Sequence, residues 1–315
     1  MKTTNPIYQD NFQKKLIVSI GFAIVVYLTL SLWGNLGNLK TALSNFNMYL
    51  LVPMLCLATL NFLIRFAKWQ YYLSSLDIRI KRFESLLIFL SGFSLAITPG
   101  KIGEIIRSYF IKITHQVPVS KTAPIIFADR LTDLIGLLVI SGIGVVSYKY
   151  GAYVIGGVGL VVITMLFFVS QKTYLMKILL KTKNSKLINA YESSCRLLNL
   201  KSLIVAIPLS VIAWFCEAIV LYLTYRALGL QVGFQIAIFI YSFSMIIGAI
   251  SMLPGGLGLT EGSIASLSIL AKMSKSQAAV ATLVVRVVTL WYAIIIGLVA
   301  MFLFQRYILK NNNYQ

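Results

Sequence analysis

Charged side chains inside apolar segments are the residues of this chain that are best placed to do chemistry. The 315 residues include only nine acids, and most of these acids lie in apolar or interrupted segments. An ionisable side chain near the centre of a bilayer costs roughly 2.5–3.5 kcal/mol on insertion scales, so it indicates either a binding site or a buried ion pair. The charged residues concerned are Glu104, Asp129, Asp133, Glu217 and Glu261, with Arg107, Arg130 and Arg286.

The segment after Pro99 predicts an anion-binding helix. Apolar residues recur at helical spacing from Ile102 onwards, and the opposite face carries Lys101, Glu104 and Arg107. Glu104 and Arg107 are three residues apart, close enough to pair. Two bases beside one acid leave a net positive charge, and the helix N-terminus adds to it. We therefore expect this face to attract a phosphate.

A second group of charges lies in two long apolar spans. Asp129 and Asp133 are four residues apart on one helix face, and Arg130 can pair with Asp133. Arg286 has no acid in its own span, so it needs Glu261, Asp129 or a ligand phosphate as partner. Arginine suits phosphate because its planar fork makes two parallel hydrogen bonds. Internal pairing that merely locks the helices together is the open alternative.

Two stretches of the chain repeat the same landmarks. Each has Pro-Gly-x-x-Gly followed by a glutamate, then a Ser-Lys pair about 20 residues after the proline, then an arginine about 31 residues after it. Proline and glycine interrupt helices, and glycine permits tight turns. The predicted hairpin turns are Pro99, Gly100 and Gly103 in the first stretch and Pro254, Gly255, Gly256 and Gly258 in the second.

The elements that carry these residues are predicted to be membrane helices. Hydrophobic residues make up 58% of the chain and charged residues 12%, and the mean hydropathy is +0.85. A span needs about 20 apolar residues. Candidate spans are 16–33, 48–64, 123–148, 152–170, 203–228, 234–253 and 277–305. The fold class is therefore all-α and polytopic, with about seven spanning helices plus two re-entrant hairpins.

Loop charges predict the orientation of the spans. The net charge is +19, but the bases sit in short loops, which favours the positive-inside rule over nucleic-acid binding. Lys14 and Lys15 place the N-terminus in the cytoplasm, and Arg306 and Lys310 place the C-terminus there as well. Bases after the second span, Arg65, Lys68, Arg79, Lys81 and Arg82, and those in the 171–201 loop also lie inside.

These orientations are consistent only if the first hairpin opens from the cytoplasm and the second from the other face. One domain, 1–315, is then divided into an N-terminal span (1–47), a first half (48–170), a basic cytoplasmic linker (171–202) and an inverted second half (203–306). Inverted repeats with interrupted helices are typical of transporters. A duplicated fold without a transport role is the alternative.

The two Pro-Gly motifs, with Ala128-Asp129-Arg130, resemble the lysylphosphatidylglycerol synthase transmembrane (flippase-like) family over nearly the whole chain. The resemblance implies a flippase-like fold with two re-entrant helices, and it leaves the lipid open. Bifunctional members carry a large aminoacyl-transfer domain, whereas the longest polar stretch here is 171–201. We therefore expect a stand-alone member that is not a lysyl transferase.

The predicted function is a flippase that moves a lipid with a phosphate head group, held by Lys101, Glu104, Arg107, Asp129, Arg130, Glu261 and Arg286. Alternatives are an intramembrane transferase acting on a polyprenyl phosphate, with Asp129 and Asp133 holding a divalent metal, or a membrane scaffold. Three scattered cysteines and one histidine predict no disulfide, metal or cofactor. We expect no enzyme activity, lipid partners, no nucleic acid and a prokaryotic plasma membrane location, and a homo-oligomer is compatible with this interpretation.

Overall fold

A computed structural model describes residues 6–34, 46–98, 104–144 and 184–312, with isolated residues between 37 and 44 and between 153 and 164. Five residues named above, Pro99, Gly100, Lys101, Ile102 and Gly103, lie outside the described residues. So do most of the predicted span 152–170 and much of the predicted linker 171–202.

The prediction of an all-α fold is confirmed. The described residues form eleven α-helices and no strand. The helices are α1 (Pro6–Trp33), α2 (Leu51–Ser75), α3 (Arg82–Ser91), α4 (Ile106–His115), α5 (Val119–Gly144), α6 (Ser185–Leu197), α7 (Leu200–Ala227), α8 (Phe234–Ile250), α9 (Leu259–Leu270), α10 (Lys275–Arg286) and α11 (Tyr292–Asn312). A π-helical turn, Val287–Trp291, joins α10 to α11.

Among the residues that the structure describes, three helical segments are long and apolar enough to cross a membrane: Met48–Ser75, Leu200–Ala227 and Lys275–Tyr307. A helix of 28 residues is about 42 Å long, more than the roughly 30 Å of a hydrocarbon core. Gly21–Trp33 and Phe234–Ile250 are shorter apolar helices. Large apolar side chains are exposed along α1 and α11, as expected of surfaces that face lipid. The count of seven spans stays a prediction.

Local sequence sets several helix starts. Asn184 accepts from the backbone N–H of Lys186 at 3.1 Å, and Asn199 accepts from that of Ser202 at 2.8 Å. Ser274 and Gln277 cap α10 reciprocally, at 3.2 and 3.0 Å. Each contact satisfies a backbone donor that the helix leaves free. The short connections between α6 and α7 and between α9 and α10 follow from these caps.

The helices α2, α5 and α7 form the centre of the molecule, and α8 packs against α5, α7 and α9. A small residue brings α5 and α7 close together, because a Cβ on Gly136 would lie only 3.1 Å from the backbone of Ser210. On the other side, α11 packs against α3 and the 3₁₀ turn Gly92–Leu95. The interrupted segments of the two halves lie between these two groups of packed helices.

The helix interruptions of the two halves contact each other. The first follows the turn Gly92–Leu95, and the second is the 3₁₀ turn Pro254–Gly256, where Gly255 has φ +60° and Gly256 φ +69°. Only glycine adopts this left-handed backbone readily. A Cβ at Gly255 would lie 3.5 Å from Ile97 Cγ2. The breaks therefore meet at Ile97 and Gly255.

Corresponding turns follow the two breaks. Gln116 (φ 58°) follows α4, and Lys272 (φ 69°) lies just after α9. Both are non-glycine residues with left-handed backbone, and each precedes the arginine of its half by the same distance along the chain. The sequence repeat thus has a counterpart in backbone geometry. The opposite orientation of the halves and the re-entrant path of the breaks stay predictions.

Candidate functional site

The acids of α5 bind two bases of α2. Lys68 Nζ lies 2.6 Å from Asp129 Oδ1 and 2.6 Å from Asp133 Oδ1. Arg65 Nη2 lies 3.4 Å from Asp129 Oδ2 and 3.1 Å from Asp133 Oδ2. The Lys68 side chain is only 1% exposed, and Ser210 of α7 completes its contacts at 2.7 Å. Two carboxylates and two bases thus form one buried cluster that joins three helices.

Arg65 and Lys68 were missed by the sequence analysis as site residues. We counted them among cytoplasmic loop bases, whereas the structure places both within α2, which runs on to Ser75. Of the five bases that we placed after the second span, only Arg79 and Lys81 lie in the loop, and Arg82 is the first residue of α3. A signal was available, because two acids on one face of α5 need two bases and Arg65 and Lys68 are three residues apart on a helix.

The predicted pair between Glu104 and Arg107 is absent. Glu104 instead pairs with Arg130 of α5, whose Nε and Nη2 each contact one carboxylate oxygen. The second contact expected for Arg130 is present, because its Nη1 lies 3.8 Å from Asp133 Oδ2. Arg130 therefore links the segment at the start of α4 to the charge cluster between α2 and α5, and its side chain keeps 25% of its surface exposed.

Arg107 is buried among aromatic rings. Its Cζ lies 4.5 Å from the ring centroid of Phe89, 5.3 Å from Phe93 and 5.8 Å from Trp69. Its guanidinium also packs so closely on Gly92 that a Cβ there would overlap it. The residue is 2% exposed, and among the described residues its Nε and Nη2 have no hydrogen-bond acceptor. Cation–π contacts hold this charge in place and leave its donors available.

The second break is fixed by a buried pair of its own. Arg286 Nε donates to Glu261 Oε1 at 2.7 Å, and Arg286 Nη2 donates to the carbonyl of Gly255 at 2.8 Å. The other carboxylate oxygen of Glu261 accepts from the backbone N–H of Gly258 at 2.7 Å, which caps α9. Tyr27 of α1 reaches the same carboxylate at 3.4 Å. Of the two acids predicted as partners of Arg286, Glu261 and not Asp129 binds it.

One further buried acid differs from the others. Glu217 of α7 is 6% exposed and accepts a hydrogen bond from Tyr241 of α8. Among the described residues no base forms an ion pair with it. This contact is of the kind expected if Glu217 serves as a structural hydrogen-bond acceptor between α7 and α8.

A cavity of about 40 Å³ lies between the charge cluster and the second break. Arg130 and Asp133 line it from α5, Trp214 from α7, and Gly256 and Thr260 from the second break and α9. The volume admits only about three waters. The arrangement therefore brings residues of both halves to one small and largely apolar space with a few polar groups, which must widen before a lipid head group can enter.

Metal binding at Asp129 and Asp133, the chemistry of the transferase alternative, would require a large change in this cluster. A divalent cation prefers several carboxylate oxygens as ligands. Here Lys68 lies 2.6 Å from an oxygen of each acid, and Arg65 contacts the remaining oxygens. A metal ion would have to displace both bases into an apolar surrounding.

Comparison with known proteins identifies a family and close to full-length relatives. The profile described as "lysylphosphatidylglycerol synthase TM region" matches residues 16–297. A UPF0104 membrane protein of Methanocaldococcus jannaschii is 26% identical over 327 residues, which covers 94% of this chain and 95% of the relative. One of Pyrococcus horikoshii is 23% identical and covers 90% of this chain and 95% of the relative. These names describe archaeal membrane proteins and state no activity.

Proposed function

The chain belongs to the lysylphosphatidylglycerol synthase transmembrane family, and from the placement of its buried charges we propose that it moves a lipid with a phosphate head group between the two leaflets. It is an integral membrane protein of a prokaryotic family. The observation that carries the proposal is the contact between the two helix breaks, with a buried glutamate–arginine pair beside each. Transporter sites form where interrupted helices of two repeats meet.

Arg107 and Arg130 are the bases that we propose to hold the phosphate. Arg107 has free donors and no carboxylate partner among the described residues. Arg130 is the most exposed base of its cluster, and a phosphate can replace Glu104 as its partner. Bidentate binding of phosphate by arginine is strong and directional. Lys101, in the adjoining segment, remains a further candidate.

Arg286 has a different role in this proposal. Its guanidinium already binds Glu261 and the carbonyl of Gly255, so it fixes the shape of the second break. The π-helical turn that follows Arg286 is of a kind often found at functional sites, because it interrupts the regular hydrogen bonding of a helix. We propose that Arg286 and Glu261 hold the closed arrangement of the two halves, and that rocking of one half against the other widens the cavity.

Reconstituted liposomes test the proposal. Fluorescent phospholipids would be exposed to dithionite, which quenches only the outer leaflet, and the extent of quenching reports exchange between leaflets. We expect exchange above that of empty liposomes. Arg107→Gln should reduce it at unchanged protein incorporation, and Arg286→Ala and Glu261→Gln should abolish it. Arg196→Gln is the matched control, because Arg196 lies 58% exposed in α6 and pairs only with exposed Asp77.

The outcomes separate the candidate functions. Exchange that is lost in the site variants and kept in Arg196→Gln supports a flippase with its site at the breaks. Exchange that is equal in every variant contradicts the site. Failure of the wild-type protein to exchange any phosphate lipid, polyprenyl phosphates included, contradicts the transport proposal and favours the transferase or scaffold alternatives. The proposal treats the protein as a transporter and not as an enzyme.

A further inference from the structure

Two residues that line the cavity between the two halves carry buried hydrogen-bond donors with no acceptor among the described residues. Thr260 Oγ1 and Trp214 Nε1 are both buried and unpartnered, and both residues line the cavity. Thr260 is 1% exposed and Trp214 is 4% exposed. A buried donor without a partner destabilises the protein, so such groups are rare unless a ligand or water uses them.

The acceptors around the same cavity are already in use. Asp133 accepts from Lys68 at 2.6 Å, from Arg65 at 3.1 Å and from Ser210 at 3.2 Å. The carbonyl of Gly255 accepts from Arg286. Because Trp214 Nε1 can only donate, Thr260 Oγ1 can donate, and these two acceptors are satisfied, the cavity matches a ligand that accepts hydrogen bonds. Arg130 also lines the cavity, and an anion that replaces Glu104 as its partner would bind its guanidinium.

Two glycines determine where the Thr260 hydroxyl lies. A Cβ on Gly248 or Gly256 would overlap Thr260 Oγ1, so only glycine at both positions leaves room for this side chain. Thr260 is in the first turn of α9, where the partial positive charge of the helix terminus also favours an anion. The hydroxyl is thus held by the second break, while Arg130 belongs to the first half.

We propose that Thr260, Trp214 and Arg130 form a subsite for the oxyanion of a phosphodiester, which both halves contact at the same time. This inference rests on the proposed function and names its substrate class: lipids with a phosphodiester, and not neutral lipids such as diacylglycerol. The apolar side chains of Leu134 and Met245 complete the wall, so the polar part of the site is small. The glycerol and acyl groups must lie outside it.

Ligand-dependent thermal unfolding of the purified protein in detergent tests the subsite without requiring transport. The probes are dihexanoylphosphatidylglycerol, inorganic phosphate and dihexanoylglycerol. Thr260→Val and Trp214→Phe remove one donor each. Thr260→Val also preserves the shape of the side chain, whereas Trp214→Phe leaves a small cavity and is therefore compared only for its apparent Kd. Thr224→Val is the matched control, because Thr224 is buried in α7, donates to the carbonyl of Val220 at 2.8 Å and does not line the cavity.

We expect the phosphate lipid, and not dihexanoylglycerol, to raise the unfolding temperature of the wild type and of Thr224→Val, with a shift that grows with the logarithm of the lipid concentration above the Kd. In Thr260→Val and Trp214→Phe the apparent Kd should rise about tenfold or more, since hydrogen bonds to charged groups are among the stronger ones. Without ligand, Thr260→Val should unfold at or above the wild-type temperature, because it removes a buried donor that has no partner. A purely structural role would instead lower it.

The results distinguish the subsite from the transport activity. Stabilisation that is equal in wild type, Thr260→Val and Trp214→Phe overturns the subsite even if leaflet exchange occurs. Donor-dependent stabilisation by inorganic phosphate alone supports an oxyanion site but contradicts a lipid substrate. Donor-dependent stabilisation by the phosphate lipid in a protein that moves no lipid supports the subsite and contradicts the proposed function. No stabilisation of the wild type by either phosphate compound overturns the inference.

Discussion

Removing one acid from the buried charge cluster should strongly destabilise the protein. Asp133→Asn preserves the size of the side chain but removes the charge that Lys68 contacts at 2.6 Å and Arg65 at 3.1 Å. Two buried bases then share the single carboxylate of Asp129. Breaking a buried ion pair by removing one partner typically costs about 3–5 kcal/mol, because a charge is left uncompensated. The ratio of folded to unfolded protein should fall by roughly two to four orders of magnitude.

Equilibrium unfolding in mixed micelles measures this change. The matched control is Asp77→Asn, because Asp77 pairs with Arg196 at 3.0 Å but is 81% exposed. Exposed pairs contribute little, so this variant should resemble the wild type. Lys68→Met in the Asp133→Asn background should recover part of the loss, since it removes the unpaired base. Equal effects of Asp133→Asn and Asp77→Asn, or no recovery on adding Lys68→Met, would refute the reasoning.

Glycine contacts supply two further predictions. Gly297→Ala should lower the unfolding temperature, because its Cβ would overlap the backbone N of Ser94. Gly262→Ala, with open space around it, should instead stabilise the protein by up to about 1 kcal/mol through helix propensity. The reverse order would contradict the packing of α11 on the turn Gly92–Leu95. Gly92→Ala should slow lipid exchange, because its Cβ would displace the guanidinium of Arg107. An unchanged rate of dithionite quenching would count against Arg107 as a phosphate ligand.

The sequence predicts the fold class and the repeated landmarks because both depend on composition and local spacing. Apolar runs define membrane helices, and Pro-Gly pairs interrupt them wherever the chain lies. The left-handed turns at Gly255 and Gly256 are consistent with residue type, because glycine adopts positive φ without steric cost. The corresponding turns at Gln116 and Lys272 are less visible, since neither residue favours positive φ.

Pairing of the charges depends on tertiary packing, and local spacing misled there. Glu104 and Arg107 have the spacing of a helical pair. However, Arg107 packs against the aromatic ring of Phe89, and Glu104 pairs with Arg130 instead. Long-range geometry overrides a local preference that is worth only about 0.2–0.5 kcal/mol. The sequence repeat predicts the pairing better than helical spacing does, because Glu104–Arg130 and Glu261–Arg286 are pairs between corresponding positions of the two halves.

The inverted orientation of the two halves is the prediction on which the transport proposal most depends. Gln116 and Lys272 are exposed residues at the turns that follow the two breaks. If the halves are inverted, these turns face opposite sides of the membrane. Single-cysteine variants, Gln116→Cys and Lys272→Cys, would be made in a background where Cys56, Cys195 and Cys216 are replaced.

Labelling with a membrane-impermeant maleimide, on intact cells and on inside-out vesicles, then reports the side of each turn. We expect Gln116→Cys to react only in inside-out vesicles and Lys272→Cys only in intact cells, because loop bases place the first turn in the cytoplasm. Reaction of both from the same side would mean a parallel duplication. The two breaks would then open to the same face of the membrane. The contact between Ile97 and Gly255 would join two segments of the same polarity, and not the oppositely oriented interrupted helices of a transporter.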